Sequence, residues 1–142
     1  MRSARRIKII LAMALTLGVA AAQSPVSVWD GVYSDAQAGR GAAVYQTACA
    51  SCHGDKLQGK GQTPRLTGSD FVMNWSGMTI GDLFDKIQTS MPADKPGSLS
   101  REQNASLVAY LLSANKFPAG NAELSSDPER LRQIRLEAAP AK

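Results

Sequence analysis

Cys49, Cys52 and His53 fall within five residues, as Cys49-Ala50-Ser51-Cys52-His53, and the 142-residue chain holds no other cysteine or histidine. That count restricts what the motif can do. A structural zinc site needs four ligands, usually Cys or His, so zinc would require a carboxylate or a second chain. A thioredoxin-like C-x-x-C sits at a helix N-terminus after a strand, near a βαβ pattern. Here the motif follows a helix-like stretch, and no Val/Ile-rich strand precedes it. A plain disulfide would leave His53 without a role. The reading that uses all three side chains is covalent haem attachment. Each thiol adds to one haem vinyl group, giving two thioethers, and the histidine beside the second thiol binds the iron. One haem c is therefore expected, held through Cys49 and Cys52 with His53 on the metal.

The start of the chain reads as an export signal over residues 1–22. Arg2, Arg5, Arg6 and Lys8 form a charged region, Ile9 to Val19 an apolar one, and Ala20-Ala21-Ala22 a small-residue cleavage site. The apolar run is shorter than the ~20 residues of a spanning helix, so cleavage is expected, with no stable membrane span afterwards. Haem c is attached after export to an unfolded chain, which favours the general secretory route over a twin-arginine route and places the protein in the periplasm. The signal also removes the basic bias. The formal charge of +4 comes from 16 basic and 12 acidic residues. Four of those basic residues lie in the signal, which leaves the mature chain near neutral. The net charge therefore points to no nucleic acid.

The mature chain divides into a lead-in (23–33), a domain (34–117) and a C-terminal extension (118–142). The fold class is all-α, with helices wrapped around one covalently attached haem. Ser34 and Gln37 make a capping-box pattern that starts a helix running to about Ala50. Gly41 and Tyr45 share a face of it. A Gly-rich loop over 54–68 contains Pro64 and Leu66, and a short helix is predicted from about Ser69 to Trp75. Thr79 caps the next helix, with Asp82 at its positive end. There Ile80, Leu83, Phe84, Ile87 and Met91 recur at helical spacing until Pro92. Ser100 and Gln103 open a last long helix that ends near Asn115. The extension offers one more helix, over about Pro128 to Glu137, which either packs back or stays mobile.

With His53 used and no second histidine in the chain, methionine is the obvious candidate for a second axial ligand, since its thioether is soft and raises the potential. Met73, Met78 and Met91 lie outside the signal. Met91 is farthest from the motif, at a helix end and before Pro92, which stiffens the following loop. It is the expected ligand, with Met73 and Met78 as pocket walls. The competing reading places Met91 in the apolar stripe of its own helix.

Residues from about Ser34 to Phe117 resemble class I cytochromes c. The resemblance is carried by the first helix with Gly41 and Tyr45, by Cys49-Ala50-Ser51-Cys52-His53-Gly54, by Thr63-Pro64-Arg65-Leu66, by Ser90-Met91-Pro92, and by Val108-Ala109-Tyr110-Leu111-Leu112. It implies that the first and last helices cross closely, and that the Pro64 carbonyl accepts the Nδ1–H of His53. The segment from Met91 to Ser100 is similar to cytochrome domains and subunits that accompany quinoprotein alcohol dehydrogenases. That similarity implies electron transfer between redox proteins, from a quinoprotein dehydrogenase toward a terminal oxidase.

The expected function is that of a periplasmic carrier of single electrons rather than an enzyme. Leu57, Leu66, Phe71, Trp75, Met78, Ile80, Phe84 and Ile87 are candidate pocket residues. The Trp75 indole, Arg65 and Gln62 are candidate partners for the haem propionates. A haem subunit of a quinoprotein dehydrogenase complex is the alternative, with Leu131, Ile134 and Leu136 of the extension as a docking surface. A five-coordinate, peroxidase-like enzyme is disfavoured because no second histidine exists for acid–base work.

Overall fold

The computed structural model describes residues 26–139. The expected export signal and its expected cleavage site lie outside the described residues.

Among the described residues, six α-helices, a short 3-10 turn (Val28–Asp30) and one pair of short strands make up the fold. In chain order they are β1 (Val26–Ser27), α1 (Asp35–Ala48), α2 (Ala50–His53), α3 (Ser69–Trp75), α4 (Ile80–Ser90), α5 (Arg101–Ala114), α6 (Pro128–Leu131) and β2 (Ile134–Arg135). Local chemistry sets the starts of the long helices. Thr79 and Asp82 exchange hydrogen bonds at the head of α4, as do Ser100 and Gln103 at the head of α5. Ser34 accepts the Gln37 N–H at the head of α1, but the reciprocal half of the expected box is absent. The Gln37 side chain instead turns into the C-terminal extension, where it donates to Leu124 O at 2.9 Å and accepts from Leu124 N at 2.7 Å.

Helices α1 and α5 cross and form the principal helix–helix contact. Gly41 sits at the crossing, and a Cβ there would lie 1.8 Å from the Ser106 carbonyl oxygen. No side chain fits that gap, because the obstacle is backbone. One turn on, Tyr45 stacks obliquely on Tyr110 with ring centroids 5.4 Å apart. The core continues through Phe71, Ile80, Phe84, Val108 and Leu112, all essentially without solvent exposure.

The extension packs back on the domain. Its expected helix over 128–137 is instead one helical turn, α6, followed by β2, which pairs in parallel with β1. The change follows from hydrogen bonding: Leu136 N donates to Met78 O, and Gly77 N donates to Leu136 O, both at 2.9 Å. These backbone partners lie across the fold, so the segment runs extended. Leu131 and Leu136 are fully buried and Ile134 is half-buried. The docking surface expected from these three residues is therefore spent on the protein's own core. Arg132 pairs with Asp85 on α4 at 2.6 Å. The lead-in joins the same layer, with Trp29 packed on Phe117 at 4.9 Å and Tyr33 Oη donating to Phe117 O at 2.7 Å.

Two outcomes test this framework. Gly41→Ala should destabilise by about 3 kcal/mol in denaturant unfolding, because the overpacked neighbour is backbone. Asp82 is held below its ordinary 3.8 by the Thr79 backbone and side-chain hydrogen bonds. A carboxyl with a lowered folded-state pKa contributes stability above its unfolded value and loses it as pH falls through the folded one. Thermal stability should therefore drop as pH is taken below about 4, and Asp82→Asn should make that drop shallower.

Candidate haem site

Cys49 ends α1. Its backbone leaves helical geometry (φ −126°, ψ −33°), so the expected single helix to Ala50 becomes α1 plus a separate turn, α2. That turn is tight: Cys52 N and His53 N both donate to Cys49 O, at 3.1 and 2.9 Å. The Tyr45 hydroxyl donates to Gly54 O at 2.6 Å and pins the turn's exit to α1. Burial first, and then the nearby Cys49 thiolate charge, push Tyr45 up to about 12. The phenol therefore stays a donor at any ordinary pH.

His53 closes α2 and is buried. Its Nδ1 lies 2.9 Å from the Pro64 carbonyl oxygen. A carbonyl can only accept, so Nδ1 carries the proton and Nε2 keeps its lone pair free for a metal. The carbonyl is placed by a braced loop. Gly59 N donates to His53 O at 2.7 Å, and Leu66 N donates to Leu57 O at 2.9 Å. Gly59 has a positive φ of 76°, and a Cβ on it would lie 2.6 Å from Thr63 O. Leu57 is also left-handed, at φ 57°, a conformation that persists in a bulky residue only where its surroundings over-determine it. From the other side, Asn115 at the end of α5 donates to Leu66 O at 3.0 Å and accepts from Gly68 N at 2.9 Å. Sequence reading missed Gly59 and Asn115 as supports, since their roles depend on contacts far along the chain.

The motif opens onto a cavity of about 770 Å³, within the range of cofactor sites. Cys49, Cys52 and His53 line it, and so do Pro64, Leu66, Trp75, Met78 and Met91. The candidate propionate partners Gln62, Arg65 and Trp75 are all on its wall. Of the other expected pocket residues, Phe71 and Ile87 line it, whereas Leu57, Ile80 and Phe84 pack into the core instead. Leu83 on α4 and Leu107 and Leu111 on α5 take their place. Helical spacing identified residues sharing a face, but not which neighbour the face would meet. Met73 is 70% exposed and lies off the cavity, so its expected place as a pocket wall is not observed.

These features fit a haem: a large, mainly apolar recess lined by two thiols, an imidazole and the thioethers of Met78 and Met91. A redox dithiol alone would leave the recess and the aimed His53 imidazole unused. Burial, and then the neighbouring Cys52, push the Cys49 thiol up to about 11. Asn115→Ala should cost about 2 kcal/mol in chemical denaturation, because it strips hydrogen bonds from the loop that carries the Pro64 carbonyl.

Comparison with known proteins gives two matches. A family model described as "Cytochrome C oxidase, cbb3-type, subunit III" matches residues 36–111. A solved structure, the sulfane dehydrogenase SoxCD from Paracoccus pantotrophus, matches with a TM-score of 0.49 and 25% identity, over 87% of this chain and 68% of that one. No curated protein matches. The family match takes in α1, the C-x-x-C-H turn, the Pro64 loop, α4 and most of α5. The chain belongs to that family and is a monohaem class I cytochrome c, a protein of haem-based electron transfer.

Proposed function

We propose that the mature protein is a periplasmic carrier of single electrons, with haem c bound covalently through Cys49 and Cys52 and the iron held by His53 and Met91. The observation that carries this reading is one cavity lined by both thiols, by an imidazole with its Nδ1–H committed to Pro64 O, and by Met91. When bound, haem supplies a one-electron ferric–ferrous couple.

The chain's own residues do the rest. The Pro64 carbonyl fixes the tautomer and plane of His53. Leu66, Phe71, Leu83, Ile87, Leu107 and Leu111 keep water from the ring. Gln62, Arg65 and Trp75, on the cavity wall, would offer donors to the propionates. With haem bound, His53 and Met91 together would leave no open position for oxygen and would demand little movement when an electron passes. Residues 1–22 fit a cleaved signal, with 34–117 as the haem domain. Electrons pass to and from redox proteins, with a quinoprotein dehydrogenase as donor and a terminal oxidase as acceptor. Membership of a dehydrogenase complex would leave this chemistry unchanged, although docking would need a surface other than Leu131 and Leu136.

The test is a pyridine haemochrome spectrum of protein made with a haem-attachment system. A c-type spectrum that survives denaturing extraction is expected, and its absence would end the proposal. Met91→Ala should then abolish the weak sulfur-to-iron band, lower the reduction potential and open the ferrous protein to rapid carbon monoxide binding. If Met78→Ala produces those changes instead, the ligand assignment moves to Met78.

A further inference from the structure

The loop after α4 carries Met91 and then Pro92, Ala93, Asp94, Lys95 and Ser98 along the cavity wall. Its own hydrogen bonds are local. Met91 N donates to Ile87 O, Lys95 N to Pro92 O and Ser98 N to Lys95 O. Among the described residues, one side chain reaches the backbone between Pro92 and Leu99: Gln88 Nε2 donates to Leu99 O at 3.0 Å. Gln88 stands on α4 one turn before the loop begins. Its bond closes the loop at the far end, just before Ser100 caps α5.

Gln88 is itself fixed from behind. Asn104 on α5 is fully buried, and its Nδ2 donates to Gln88 Oε1 and to Phe84 O, each at 3.0 Å. The direction of this relay is determined. Phe84 O can only accept, so the nitrogen of the Asn104 amide must face it. That nitrogen also faces Gln88, so Gln88 presents its oxygen to Asn104 and its nitrogen to Leu99. Asn104 Oδ1, by contrast, is buried with no hydrogen-bond partner. An orphaned buried acceptor is unfavourable, and a leucine would avoid it. The two bonds made by Nδ2 account for an asparagine at this place.

We infer that Asn104 and Gln88 are positioning residues that hold the Met91 loop closed against α4 and so keep its thioether on the iron. The inference rests on the proposed ligation by Met91. Neither residue lines the cavity, so each acts through the loop and not by touching the cofactor. Nothing about the relay is visible in sequence spacing, because Gln88 and Asn104 lie on different helices.

Gln88→Glu is the informative variant, since it keeps an acceptor for Asn104 and removes the donor to Leu99. Asn104→Leu breaks the relay one step earlier and serves if the first variant folds poorly. In either holoprotein, ferric imidazole binding should tighten about tenfold as the methionine-off population rises. The amides of Lys95 and Ser98 should exchange with solvent about tenfold faster, while helical circular dichroism stays that of the parent. Imidazole affinity and exchange rates within twofold of the parent in both variants would overturn the inference. Met91→Ala separates the underlying reading. If that variant keeps parental imidazole affinity and the sulfur–iron band, Met91 ligation fails, and the coordination part of the inference fails with it. The exchange rates of Lys95 and Ser98 in Gln88→Glu still decide whether the relay holds the loop.

Discussion

A single imidazole has to be aimed, and the hydrogen bond from His53 Nδ1 to the Pro64 carbonyl aims it. The partners lie eleven positions apart in the chain, so the bond depends on the fold of the loop between them. The requirement propagates outward. Gly59 lets two strands of the loop approach, Asn115 ties the loop to the end of α5, and Tyr45 ties the haem-motif turn to α1. Helices α1 and α5 are in turn locked by the absence of a side chain at Gly41. The site is thus the inner surface of a frame in which each support is a hydrogen bond to backbone or a forced close approach. Such a frame keeps metal ligands oriented with little rearrangement.

Much of this frame is legible in the sequence because it is local. Ser34, Thr79 and Ser100 announce helix starts through bonds spanning three residues, and the helices begin at those positions. The haem motif is five consecutive residues. Gly41 and Tyr45 point to a close helix crossing, and the crossing is there. The close pairing of Pro64 with His53 is implied by family resemblance and is present as a hydrogen bond.

The illegible part depends on partners far along the chain. The Gln37 pattern promises a capping box, yet a carbonyl and an amide of Leu124, 87 residues away, claim its side chain. Residues 134–136 carry no strand period worth reading. They run extended because Met78, Gly77 and Val26 offer backbone partners. Leu57, Ile80 and Phe84 fill the core beside the cavity, because apolar spacing on a helix cannot say which of two apolar neighbours it will meet. Gln88 and Asn104 read as ordinary polar residues on helices, and only their meeting reveals a relay.

The pairing of Val26 with Ile134 brings the two ends of the described chain side by side. It closes a circuit through almost the whole fold, the kind of contact whose loop entropy must be met before it is rewarded. The Trp29 indole sits across that seam, donating to the carbonyls of Glu137 and Ala138, both at 3.2 Å. The seam also backs the stretch from Gly77 to Thr79, which borders the cavity at Met78. An indole at the joint between first and last segments is a built-in optical gauge of closure. Its environment reports, from the edge of the molecule, whether the wall near the haem has its backing.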